Sequence, residues 1–493
     1  MQKLAVTIVL CVIATTLSRG QKSIVEPIQK LITKNEIEAH LSFLAADEMR
    51  GRDTGSPELT MAANYIRTYF KMVGLISAPG ADNFFQPVRL KKSYPPTKAE
   101  ATIGNEHFVL KENMLVLQGG TFNWSGDLVY VGYGSAEDLG KHDLTGKMVL
   151  ALAGSREADN LNKAFIVSRD KYKLVMSKGA AGLVEVLTLP QVPWPALVNY
   201  FSQQQWGLIS DDASTTFPHI WLKPSDVKAL SFNDSDVVKG TIAIDGLKPE
   251  AIPGRNVAGF IEGNDTRLKN EFVIITAHYD HIGVQPMGEG QDSIFNGARD
   301  NAIGTVALLQ TAKYLAQYPP KRSVIIMALT SEEKGLLGSQ WYVDHPLVQL
   351  SKHVLNINCD GVGYNDKSRI TSISFGRTNL DDHIVRAAKT FGLEAGGDPD
   401  PKENFYERSD QVSFAKKGIP AIKLQPGLSS MDDEIRKYYH RAADEVGSLD
   451  FDYLTTFYRT FVYTVSLLVN DPQRPAWKSG DKFEEVSKAL YAK

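Results

Sequence analysis

Cysteine is nearly absent from this chain: 493 residues carry two, Cys11 and Cys359. A disulfide framework is therefore excluded, and stability must come from core burial or from bound metal. An excess of one charge is also missing. Lys plus Arg number 54 against 57 Asp plus Glu, a net charge of -3. That balance gives no reason to expect nucleic acid or an anionic membrane as a partner. No stretch reaches the roughly 18 consecutive apolar residues of a membrane span. Internal repeats and low-complexity tracts are lacking too. What is present is ordinary globular composition, 43% apolar and 23% charged with 39 Gly and 23 Pro. At roughly 150 residues per domain, the length suggests three domains, or two of which one is large.

The first twenty residues have the layout of a secretory signal peptide. Lys3 is followed by an apolar run from Leu4 to Ala14 broken only by Thr7, then by small and polar residues ending in Ser18-Arg19-Gly20. This pattern predicts a signal peptide over 1–20 with cleavage before Gln21. The mature chain is then exported, periplasmic or secreted, with no membrane segment. Its single remaining cysteine suits the periplasm.

Three periodicities follow one another. Between Leu59 and Val73, apolar residues at Ala62, Tyr65, Ile66, Tyr69, Phe70 and Val73 have helical spacing, with Gly74 as C-cap. From about Leu115 to Gly246 the pattern becomes short β-type runs, such as 126–131, 147–152, 181–186 and 220–222, which predicts a small β-rich domain. After Pro253 come continuous apolar runs over 271–277, 323–329, 353–359 and 420–424, with helical segments at 305–315 and 380–391 between them. Continuous apolar strands alternating with helices predict a mostly parallel sheet covered on both faces.

Three of those strands run into potential metal ligands: His278-Tyr279-Asp280-His281, Thr330-Ser331-Glu332-Glu333 and Asp360-Gly361. Ligands bind at the carboxyl ends of the strands of such sheets, so these residues are expected to converge. Asp300, before a helix, and His440, after Tyr438-Tyr439, complete the candidates. Taken singly, a His after a strand is usually structural, paired Glu residues usually mark a solvated face, and Asp-Gly is usually a turn. Recurrence at three successive strand ends is what points to a site. Imidazoles with carboxylates suit zinc, and less well manganese or cobalt.

The ordered set His278-x-Asp280, Asp300-Asn301, Glu332-Glu333, Asp360 and His440 resembles the co-catalytic zinc aminopeptidases, which have relatives among glutamate carboxypeptidases and glutaminyl cyclases. The likeness extends to 40–47, 51–56 and 62–66, to Arg408-Ser409-Asp410, and to Gly418-Ile419-Pro420-Ala421. Leu144-Thr145-Gly146-Lys147 and Lys178-Gly179-Ala180-Ala181-Gly182 resemble the protease-associated domain that many such enzymes carry. The implied architecture is an α/β zinc exopeptidase fold in two pieces, 21–114 and 247–493, interrupted by a protease-associated domain over 115–246.

The resemblance also implies two zinc ions per chain. His278 and Asp360 would hold one, Glu333 and His440 the other, and Asp300 would bridge them, leaving Glu332 free as general base toward a metal-bridged water. Asp280 is expected to fix the His278 ring and Asp444 the His440 ring. A cis peptide is expected at Asp300-Asn301, and His281 is expected in a structural or rim role. Two positions depart from the family pattern, Gln411 where His is frequent and Arg441 where Thr is frequent. The implied activity is removal of N-terminal residues from peptide substrates. The same metals would serve a carboxypeptidase, recognisable by arginines gripping a substrate carboxylate. A glutaminyl cyclase would need only one metal, and a non-catalytic receptor of this fold would lack ligands or the base.

Overall fold

A computed structural model describes residues 24–156, 161–188, 193–209, 217–223, 237–246 and 249–492. The signal peptide expected over 1–20 lies outside the described residues. The chain divides into two compact units, Met1–Arg89 with Pro253–Lys493, and Leu90–Ile252.

In the first unit the sheet order is Glu394–Gly396, Arg369–Ser372, Ala421–Pro426, His353–Cys359, Phe272–His278, Ser323–Leu329, Pro249–Ile261 and Phe85–Ser93. The four strands at 421–426, 353–359, 272–278 and 323–329 are mutually parallel, and 369–372 and 249–261 flank them antiparallel. Every residue of Ser323–Leu329 and His353–Cys359 is buried, because helices cover both faces. The alternation is explicit in two strands. Val273, Ile275, Val324, Ile326 and Ala328 pack with helices Pro57–Met72, Ile303–Gln317 and Phe451–Asn470. Ile274, Ile325, Met327 and Leu329 face Tyr342, Val343, Val412 and Phe414 on the other side. A strand buried on both faces reads as a continuous apolar run, which is why all four central strands were legible. This is the mixed, mostly parallel α/β architecture expected.

The helix Pro57–Met72 is capped by Ser56, whose side chain accepts from the Leu59 N–H, and Gly74 follows at a φ of +99°. Helix Leu380–Phe391 of the sequence reading is Asp381–Thr390.

The second unit has an eight-stranded sheet in which Phe122–Tyr130, Met148–Leu152, Gly182–Val186 and His219–Leu222 are parallel neighbours. It spans Leu90–Ile252, against the expected 115–246, because Lys98–Ile103 pairs with Val237–Asp245 and carries Glu106–Val109 at the edge. It also holds helices Leu161–Ser177 and Trp194–Phe201, which the β-type periodicity did not signal.

Candidate active site

The carboxyl ends of the parallel strands bring the expected residues together. His278 is the last residue of its strand, Asp360 follows Cys359, and the 330–333 turn follows Leu329. Asp300 stands on the loop before helix Ile303–Gln317, and its peptide bond to Asn301 is cis, as expected. The loop after helix Asp433–Tyr438 delivers His440.

His278 Nε2 lies 3.2 Å from Asp360 Oδ1 and 3.3 Å from Asp300 Oδ1. His440 Nε2 lies 3.2 Å from Asp300 Oδ2 and 3.2 Å from Glu333 Oε2. Asp300 therefore turns one oxygen toward each half of the cluster. Ligands held about 2.0–2.1 Å from a tetrahedral ion stand about 3.3 Å apart, so the five donors fit a pair of such ions. All are nitrogen or oxygen, as zinc accepts. Glu332 has a carboxylate oxygen within 4.8 Å of donor atoms of His278 and Asp360 and is partly exposed, lining the same cleft.

Electrostatics divide the carboxylates. Burial pushes Asp300 up, but hydrogen bonds from His278 and His440 hold it well below the usual range. Burial also opposes ionisation of Asp360, and Lys423 and His278 overcome it, holding the carboxyl down. Burial and the Asp300 charge raise Glu333, yet His281 and His440 bring it down to about 2. Glu332 goes the other way, pushed well above its ordinary value by burial and the charges of Asp360 and Glu333. Burial lowers the affinity of both rings for a proton, but neighbouring carboxylates hold His278 well up and raise His440 to about 10. A buried set of ionised carboxylates needs cations beside it.

Two orienting roles differ from expectation. Asp280 accepts the backbone N–H groups of Glu332 at 3.0 Å and Glu333 at 3.3 Å, fixing the turn that carries them. The His278 ring is met instead by the Asp280 carbonyl, 3.1 Å from Nδ1. Asp444 accepts the N–H groups of Arg299 and Asp300 at 2.8 and 3.1 Å, so it holds the Asp300 loop rather than His440. Burial pushes the Asp444 carboxyl up to about 6. His281 is fully buried, not at a rim, with Nδ1 2.8 Å from Glu333 Oε1. That leaves Glu333 Oε2 for His440. Gln411 lies outside the cluster, donating to the Tyr406 carbonyl and accepting from Asn358. Asp410 is fully buried, and burial pushes it up to about 7.

Three contributors carried no assigned role in the sequence reading. Ser409 Oγ donates to Asp360 Oδ2, and Lys423 Nζ lies 3.4 Å from that oxygen. A lysine inside the apolar run of strand Ala421–Pro426 was the available signal, since a buried lysine demands a partner. Arg52 is buried and donates to the carbonyls of Leu44, Tyr279, Asn296 and Gly297, tying the His278 strand end to the loop before Asp300. Gly51 has a φ of +66°, and a Cβ there would stand 2.4 Å from the Phe295 carbonyl oxygen, so only glycine fits.

The sequence model of Peptidase family M28 matches residues 256–465. Aminopeptidase YwaD of Bacillus subtilis (strain 168) is 29% identical over 180 residues, 36% of this chain and 36% of that protein. A vacuolar membrane protease of Phaeosphaeria nodorum is 25% identical over 223 residues, 45% of this chain and 21% of its own length. The matched segments thus span 36% of the first relative's length and 21% of the second's. An aminopeptidase from Aneurinibacillus sp. strain AM-1 shares the fold, with a TM-score of 0.54 at 20% identity over 91% of this chain and 97% of that one. All five donors of the cluster, and Glu332, fall inside the residues that match the model of peptidase family M28.

Proposed function

We propose that the protein is an exported di-zinc aminopeptidase. The observation that carries this reading is Asp300, whose two carboxylate oxygens face different histidines at 3.3 and 3.2 Å. His278 and Asp360 would hold one zinc ion, Glu333 and His440 the other, with Asp300 shared. When bound, two such ions polarise a scissile carbonyl and make a nearby water acidic. Glu332 borders the same space without belonging to the five, so it takes the proton of the attacking water and returns it to the leaving amine. Asp280 keeps Glu332 and Glu333 pointing apart by holding both their backbone N–H groups. Ser409 and Lys423 hold the second oxygen of Asp360, which leaves Oδ1 facing His278.

The match to the model of peptidase family M28 and the aminopeptidase name of the Bacillus subtilis relative support the exopeptidase class. The layout of residues 1–20 supports export, and among the described residues no helix is long and apolar enough to cross a membrane. The 144–147 and 178–182 motifs support a protease-associated identity for the second unit.

A carboxypeptidase reading keeps one specific observation in its favour: Arg408 lines the cleft beside Tyr439 and His440. Blocked dipeptides separate the two. On the aminopeptidase reading, N-terminal acetylation lowers kcat/KM by at least about 10²-fold and C-terminal amidation has little effect. The reverse sensitivity establishes a carboxypeptidase, and equal hydrolysis of both blocked peptides refutes both.

A further inference from the structure

The second unit contains a cavity of about 360 Å³, within the range of small-molecule sites. Its walls include Phe165, Tyr172, Tyr200 and Phe201, and Ser168 and His219 lie at its floor. Ser168 and His219 are 1% and 3% exposed, so two buried polar groups meet an otherwise aromatic space.

Beneath them is the wholly buried Glu185, whose hydrogen bonds can be counted. Burial pushes its carboxyl up, but His219 and Lys171 outweigh that and hold it below its ordinary value, in the ionised form. One oxygen accepts from Lys171 Nζ at 2.7 Å. The other accepts from Trp221 Nε1 at 2.9 Å and from the Ser168 hydroxyl, and lies 2.7 Å from His219 Nε2. A carboxylate only accepts, so His219 Nε2 carries the proton, and in the neutral ring Nδ1 is a bare acceptor. Ser168 has spent its only proton on Glu185 and accepts from Trp221 Nε1 at 3.2 Å, which leaves its oxygen one further lone pair as an acceptor. Serine and carboxylate also meet the same imidazole nitrogen, so this is no nucleophile relay, in which the acid and the serine occupy opposite nitrogens.

Both floor groups therefore offer acceptors under aromatic walls. Tyr172 is stacked on His219, with centroids 5.4 Å apart, and Phe165 lies 4.5 Å from Trp221. We propose that this cavity binds an aromatic ring bearing one hydrogen-bond donor, a phenol or an indole. The ring fills the aromatic space, and its O–H or N–H reaches Ser168 Oγ or His219 Nδ1. An apolar ring without a donor would leave these acceptors unpaired, a penalty worth about tenfold or more in affinity. The ring could belong to a free small molecule or to a tyrosine or tryptophan of a peptide. The site is independent of the hydrolytic reading.

Calorimetric titration of the full chain with p-cresol, indole and toluene tests it. The two donors should bind at least about tenfold more tightly than toluene, with p-cresol at or below about 1 mM. Ile166, 58% exposed at the wall, tolerates a larger side chain, and Ile166→Trp should fill the cavity and weaken p-cresol at least about tenfold at an unchanged melting temperature. N-acetyl-tyrosinamide separates the sources. Binding comparable to p-cresol assigns the ring to a peptide, and loss of binding with p-cresol retained assigns it to a free phenol. Absence of p-cresol binding, equal affinity for toluene, or indifference to Ile166→Trp overturns the proposal. The toluene comparison needs no variant, so misfolding of Ile166→Trp would not shelter it.

Discussion

The two units each bury carboxylates against histidines, and the two clusters are opposite in their accounting. In the second unit a single carboxylate, Glu185, is met by lysine, indole, hydroxyl and imidazole donors, and Lys171 balances its charge. In the first unit Asp300, Glu333, Asp360 and Glu332 crowd around His278 and His440. Acceptors there outnumber donors. A satisfied cluster holds a fold together, whereas an acceptor-rich one at strand ends, open to a cleft, is built for cations.

The sharpest way to break this contrast is substitution of Glu332, the proposed proton acceptor. Glu332→Gln keeps shape but cannot take a proton, so turnover should fall by roughly 10²- to 10⁴-fold while zinc content holds. Near-normal turnover would mean the wrong carboxylate has been assigned. Glu185→Gln should act on stability instead. It strands the Lys171 ammonium in the interior, which costs about 3 kcal/mol, and should leave zinc content and turnover per folded molecule unchanged. A denaturant melt alongside elemental analysis separates the two kinds of cluster.

His281 tests how the acceptor-rich site is held in shape. His281→Asn frees Glu333 Oε1, and zinc affinity should weaken by about 10- to 100-fold, read by competition with a chelator. An unchanged affinity would make the 2.8 Å approach incidental. The smallest effect belongs to a third carboxylate, Glu36, which resembles Glu185 in being paired with a lysine. Burial raises it, but His40, Lys313 and Tyr69 hold it at about 2 against an ordinary 4.5. Its folded value is depressed, so its contribution is complete above pH 4.5 and is lost as pH falls toward 2. Glu36→Gln should cost roughly 1 kcal/mol near neutral pH, after allowance for solvent screening, and nothing near pH 2.

How legible each cluster was in the sequence follows from the same contrast. The first announced itself because strands buried on both faces read as unbroken apolar runs, and a candidate ligand follows each of three of them at once. The four central strands and the candidates His278, Glu333 and Asp360 were recoverable for that reason, whereas Asp300 and His440 stand on loops beside helices, away from any strand end. Asp280 and Asp444 were misread because a carboxylate near a histidine in sequence was assigned to its ring, whereas backbone N–H groups nearer in space claimed both. Lys423, Ser409 and Arg52 act across long sequence separations that no local spacing encodes. The second cluster was invisible. Lys171, Glu185 and His219 lie on one helix and two strands, and each reads alone as an ordinary polar residue. Helix Leu161–Ser177, which carries Ser168 and Lys171, was hidden among β-type runs, and the unit's limits shifted outward because its edge strands are short and partly exposed.

The central claim is that the Asp300 carboxylate is shared between two ions, and elemental analysis of purified protein with and without Asp300→Ala tests it most directly. Wild type should carry two zinc ions per chain, lose activity on chelation and regain it with zinc, and Asp300→Ala should lose both sites together. One zinc per chain at full activity, or an Asp300→Ala protein that keeps two, would contradict the bridged centre.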